Sequence, residues 1–84
     1  MLMAEFIKIN AVDNVAVAVS DAEAGSVFAE VASLVRIPAG HKMALKDMEE
    51  GENVIKYGFP IGHLTGPVAK GGLIDHTNLK TNLE

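Results

Sequence analysis

The 84-residue sequence has no cysteine. That absence excludes disulfide staples, thiolate metal sites and a thiol nucleophile together, and it fits a reducing cytoplasm. Aromatic residues make up only 5% of the chain against 49% hydrophobic residues overall. The core must therefore be built from Val, Ile, Leu, Ala and Met, and a large aromatic-lined ligand pocket is not expected. Cations are also scarce, with seven Lys and Arg dispersed among eleven Asp and Glu for a net charge of −4. No cationic track exists to neutralise phosphates, so nucleic acid is not an expected partner. No apolar run approaches the ~20 residues of a membrane span. The start, Met1-Leu2-Met3-Ala4-Glu5, lacks the basic and apolar regions of a secretory signal. A soluble cytoplasmic protein is expected, with no membrane partner.

A chain of this length makes one domain, residues 1–84, and buries only about 60 to 65% of the surface its unfolded form exposes. A core that thin leaves room for a partner surface or for self-association. Apolar-x-x-Gly-x-x-apolar recurs around Gly25, Gly40, Gly51 and Gly71. Each copy is expected to be a turn feeding a strand, the glycine supplying a positive φ. The copies are unevenly spaced, so they are recurrent turns and not a solenoid repeat.

Period-2 alternation and β-branched content place strands at Phe6, Ile7 and Ile9 and at Val15–Val19. In the second of these, Ala alternates with Val, which implies close packing on the Ala face. Phe28, Val31, Ala32 and Val35 also fit a helical stripe, but two short strands with a turn near Glu30 is the preferred reading of residues 27–35. Further strands are expected at His41–Lys46, Asn53–Ile55, Ile61–Leu64 and Leu73–His76. Pro38, Pro60 and Pro67 belong at strand starts or turns because they cannot donate to a ladder. The fold class is all-β, with little or no helix.

Three polar stations stand out. His41 follows Gly40, where the backbone can approach closely, and precedes Lys42, so a base or ligand lies next to a cation. The plainer alternative is a histidine hydrogen-bonded to backbone at a sheet edge. In Asp75-His76-Thr77-Asn78, a strand would put Asp75 and Thr77 on one face and His76 and Asn78 on the other. Asp75 or His76 with His41 would form an oxygen/nitrogen set suited to Fe(II), Mn(II) or Zn, although a solvated strand end followed by a polar tail explains the same residues. His63 carries no special context. Lys42, Lys46, Lys56 and Lys80 could each attract an anionic substrate. Asp47, Glu49, Glu50 and Glu52 read as a solvated acidic loop around Gly51. No glycine-rich phosphate loop is present, and no serine sits in a nucleophile elbow.

Taken in order, Phe6-Ile7-Lys8-Ile9-Asn10, Asp13-Asn14-Val15-Ala16-Val17-Ala18, Gly40-His41-Lys42-Met43-Ala44-Leu45, Val54 through Gly62, and Asn78-Leu79-Lys80-Thr81-Asn82-Leu83 resemble the N-terminal segment of altronate dehydratases. The Asp-Asn-Val-Ala-Val-Ala entry favours that branch over the related galactarate dehydratases and sulfolactate sulfo-lyases. The resemblance implies a SAF domain with a β-clip fold. It further implies a module that precedes a much larger catalytic portion, or stands beside it as a small subunit. Glu84 falls where that portion would begin.

The resemblance implies a lyase that dehydrates a sugar acid to a 2-keto-3-deoxy sugar acid with iron or manganese. Most of the chemistry is then expected in a large subunit, and this chain alone is expected to be inactive. On this basis His41 is the expected catalytic residue, Lys42, Asn78 and Lys80 bind substrate, and Asp75 and His76 are the metal candidates. Where many relatives carry His-x-His-Asn, this chain has Asp75-His76-Thr77-Asn78, which replaces the paired histidines by Asp75 and Thr77.

Overall fold

The computed structural model describes residues 5–81; the Met1–Ala4 start and the Asn82-Leu83 end of the motif above lie outside the described residues. The strands in chain order are β1 (Phe6–Ile7), β2 (Val15–Ala18), β3 (Val27–Phe28), β4 (Val31–Ala32), β5 (Lys42–Ala44), β6 (Asn53–Lys56), β7 (Phe59–Leu64), β8 (Leu73–Ile74) and β9 (Leu79–Thr81). No helix occurs among the described residues, as the alternation and glycine turns require.

A four-stranded antiparallel sheet, ordered β1-β2-β5-β8, forms the centre. Its two faces are packed against different halves of the chain. Because successive strand residues point to opposite faces, Ala16 and Ala18 join Phe6 and Met43 on one face, where Ala22, Val31 and Ile37 complete a buried cluster. The small alanines admit the β3–β4 hairpin, as the Val/Ala alternation implied. On the other face Val15, Ala44 and Ile74 pack with Met48, Val54, Leu64 and Val68 beneath the β6-β7-β9 sheet. Each large aliphatic side chain fully removed from water, such as Ile37 or Ile74, contributes about 1.5–3 kcal/mol.

The four glycine turns prove to be two copies of one layout. Gly25, Gly40, Gly51 and Gly71 all have φ between 83° and 91°. In the first copy Ala22 bridges Ile37, Gly25 N–H donates to Ser33 O, and Gly40 N–H donates to Ala18 O. In the second Met48 bridges Val68, Gly51 N–H donates to Leu64 O, and Gly71 N–H donates to Ala44 O. Asp21 and Asp47 occupy equivalent posts, each accepting a backbone N–H from the returning chain, Ala39 and Lys70 respectively, at 2.8 Å. Asp47 thus fastens the fold, and the acidic stretch is more than a solvated loop. The uneven spacing in sequence follows because the hairpin enclosed by the second copy is longer.

Several boundaries differ from the sequence-based expectation. The strand expected at residues 41–46 shortens to Lys42–Ala44, since His41 N–H is drawn back to Pro38 O in the glycine turn. The strand expected to reach His76 stops at Ile74, and residues 75–78 form a turn. The polar end beyond it contains β9, which pairs with β7. Gly62 makes that pairing fit, because a Cβ there would lie 2.5 Å from Lys80 O.

Candidate functional site

An open depression of about 360 Å3 is lined by Gly40, His41, Lys42, Ile74, Asp75, His76, Leu79 and Thr81. It lies where the glycine turn before β5, the end of β8 and β9 converge. Gly40, at φ 83°, turns the chain so that His41 leaves the sheet at its edge. The His41 ring Nδ1 lies 3.3 Å from Ala39 O. With the proton on Nδ1 donated to that carbonyl, Nε2 keeps its lone pair and can accept a proton or bind a ligand. The backbone contact of the plainer reading and a half-buried place beside Lys42 in the depression therefore occur together.

Lys42, next along, is half-buried in β5. Burial pushes its ammonium pKa down, the neighbouring positive charge of Lys56 pushes it further, and the Asp75 carboxylate acts in the opposite direction.

Asp75 opens a tight polar turn. Its Oδ1 accepts the Thr77 hydroxyl at 2.6 Å and the Thr77 N–H at 2.9 Å. The Thr77 hydroxyl and N–H bonds hold the Asp75 carboxyl below its ordinary pKa against the opposing effect of partial burial, with further help from His76 and His41. Asn78 closes the turn. Its Oδ1 accepts from Asp75 N–H and its Nδ2 donates to Leu73 O, both at 2.9 Å. The expected strand faces are thus replaced by an Asx turn, whose side-chain bonds compete successfully with the β ladder.

The structure brings together His41, Lys42, Asp75 and His76. Asn78 supports the turn from behind, with both ends of its amide engaged in it. Lys80 does not line the depression. Its neighbours Leu79 and Thr81 do, and strand alternation directs Lys80 to the other side. His63 lies on β7 opposite Asn53 and Lys80 and is likewise not part of the lining.

Among the described residues no three His, Asp or Glu side chains converge to hold a metal ion. Asp75 Oδ1 is already engaged twice.

Sequence reasoning put Thr77 on a strand face with Asp75 and not in a turn as its hydrogen-bond donor, and it did not single out Leu79 or Thr81. The Asp-x-Thr spacing of an Asx turn was the available signal for Thr77. It also missed how Asp13 and Asn14 work. Buried Asp13 accepts from Asn10 N–H through Oδ2 at 3.0 Å and from Gly58 N–H through Oδ1 at 2.8 Å. Burial alone would raise its pKa, but the backbone donors around it, Gly58 foremost, bring it below the usual value. Asn14 Oδ1 accepts from Ile55 N–H, and its Nδ2 donates to Asn53 O. Together they fasten the β6–β7 hairpin to the start of β2.

A second, wider hollow of about 580 Å3 lies between Val12, Asn14, Leu45, Lys46 and Glu52. Its charged groups satisfy one another through a 2.6 Å Lys46–Glu52 ion pair, which leaves little to recognise a ligand.

The family model describing the altronate/galactarate dehydratase SAF domain matches residues 4–82. The chain belongs to that SAF-domain family. It is similar to altronate dehydratase of Escherichia coli (strain K12), at 45% identity over 94% of this chain and 17% of that protein. It is 40% identical to altronate dehydratase of Bacillus subtilis (strain 168), over 96% of this chain and again 17% of the relative. A (2R)-sulfolactate sulfo-lyase subunit alpha of Paracoccus pantotrophus is 47% identical over 54% of this chain and 67% of that subunit. This SAF domain thus spans about a sixth of the length of the dehydratases it matches. Among the described residues no helix is long and apolar enough to cross a membrane.

Proposed function

We propose that this SAF domain is the small component of an altronate-dehydratase-like lyase that converts a sugar acid to a 2-keto-3-deoxy sugar acid. The observation that carries this reading is the gathering of His41, Lys42, Asp75 and His76 around one depression in a chain of this family. A large catalytic lyase subunit, or the corresponding portion of a longer chain, completes the site. A small separate subunit is supported by the sulfo-lyase relative, a protein named as a subunit and matched over 67% of its length. In this reading the assembled enzyme works in the cytoplasm and the SAF domain is inactive alone.

The reaction removes the proton α to the carboxylate and expels the β-hydroxyl as water, and the resulting enol then tautomerises to the ketone. His41 Nε2 is the group of this chain placed to accept or return a proton. Lys42 opposes the negative charge of the substrate. Asp75, kept ionised by Thr77, orients substrate hydroxyls by accepting their hydrogen bonds. An iron(II) or manganese(II) ion, when bound, would stabilise the developing enediolate. In this proposal most of its ligands come from the large component, with His76 and Asp75 at the rim.

Substrate profiling tests the reading. The assembled lyase is expected to release a 2-keto acid from altronate and no sulfite from sulfolactate. Sulfite release without altronate turnover would move the chain to the sulfo-lyase branch, which the 47% identity keeps as the second reading.

A further inference from the structure

The depression has a neighbour that changes what it can recognise. The central sheet face covered by β6, β7 and β9 at one end continues, only partly covered, at the other through Ile7, Val17 and Lys42, which lie side by side across β1, β2 and β5. Val17, with Ile7, Ile9, Lys56 and Tyr57, lines a small apolar cavity of about 100 Å3. Lys42, its cross-strand partner, lines the depression. The two hollows therefore adjoin at the Val17–Lys42 pair, with Lys56 on the side away from His41.

Lys56 is held in place. Its Nζ lies 4.8 Å from the centre of the Tyr57 ring, a cation–π arrangement. Tyr57 and Gly58, both at positive φ (57° and 79°), form the hairpin tip that Asp13 anchors through Gly58 N–H. Among the described residues neither Lys42 nor Lys56 has a carboxylate in an ion pair, whereas Arg36 and Lys46 do. The two ammonium groups flank Val17 on one sheet face and repel each other, and of the two only Lys42 feels a nearby carboxylate, that of Asp75. An anion placed between them gains from both and relieves their repulsion.

We propose that Lys42 and Lys56 form a two-lysine clamp for the carboxylate of a polyhydroxy acid, with Tyr57 positioning Lys56. This deepens the lyase reading and rests on it for the identity of the acid. The acid's hydroxylated chain runs from the clamp into the depression, past His41 and Asp75. Asp75 attracts Lys42 from the opposite side, so a dianion such as phosphate meets a negative neighbour that a single carboxylate can avoid. The other titratable groups facing the clamp are His41 and His76 in the depression and Asp13 and Tyr57 in the apolar cavity.

The test is a titration of the 84-residue chain, followed through its lysine Cε NMR signals, with altronate, its uncharged alditol and inorganic phosphate at matched ionic strength. Altronate is expected to shift the Lys42 and Lys56 signals along one saturating curve and to raise the pH midpoint of Lys42. The alditol should do neither, and phosphate should bind at least about tenfold more weakly. Lys56→Met is expected to raise the Lys42 midpoint in the free chain and weaken altronate about tenfold or more, while Lys56→Arg retains most binding.

Equal, non-saturating shifts at all lysines would overturn the clamp, as would phosphate binding as tight as altronate or unchanged altronate affinity in Lys56→Met. Saturable binding by a chain whose assembled lyase dehydrates no sugar acid would keep the clamp and reject the lyase reading. An active lyase whose KM is unchanged by Lys56→Met would reject the clamp and keep the reading.

Discussion

Asp75 shows how a single residue departs from its sequence pattern and still lines the depression. With a threonine two positions on, its carboxylate takes both Thr77 donors through Oδ1. Those donors lower its folded-state pKa. A carboxyl whose folded pKa is depressed adds stability above its unfolded value, near 3.9, and loses that contribution as pH falls through the folded value. Thr77→Val should therefore raise the Asp75 midpoint in a carboxyl NMR titration and lower Tm at pH 7. The difference in Tm should shrink as pH falls through the depressed folded-state midpoint of Asp75. The same sign holds for Asp13 and Asp21, whose carboxyls also lie low, so wild-type melts should lose stability progressively below about pH 4.

At the scale of elements, turns and sheets were legible to different degrees. Gly25, Gly40, Gly51 and Gly71 mark their turns in the sequence because positive φ is a local demand. The Val15–Ala18 alternation and the β3–β4 hairpin around Glu30 were legible for the same reason. Strand β9 was not, because Leu79, Lys80 and Thr81 carry little strand signal and are held by pairing with distant β7. Gly62 permits the close approach, so Gly62→Ala should cost about 1–3 kcal/mol through overpacking. The readouts are a lower denaturant midpoint and faster amide exchange in residues 79–81.

The β3–β4 turn offers the opposite case. Ala29 and Glu30 sit at φ 52° and 66° without being glycine, a conformation that costs an ordinary residue about 1–2 kcal/mol. Glu30→Gly should recover part of that cost and raise the denaturant midpoint, outweighing the entropy glycine adds to the unfolded chain.

Across the whole molecule, the family and the all-β class were legible from the ordered motif, while the joining of the motifs into one site was not. His41 and Asp75 lie far apart in sequence and meet only because β5 and β8 are neighbours in the central sheet, with Lys42 opposite Ile74. The Asp13-Asn14 pair likewise reads as a family signature. Its work, fastening the hairpin that carries Lys56 and Tyr57, depends on bonds to Gly58 and Ile55 on the far side of the chain.

If, as proposed, this SAF domain supplies part of a shared substrate site, steady-state dehydration of altronate by the reconstituted lyase will depend on it. Turnover by the large component without the SAF domain is expected to be negligible. His41→Ala in a fully assembled complex is expected to lower kcat by at least about 100-fold. Full activity of the large component alone, or an unchanged kcat in an assembled His41→Ala enzyme, would contradict the shared site.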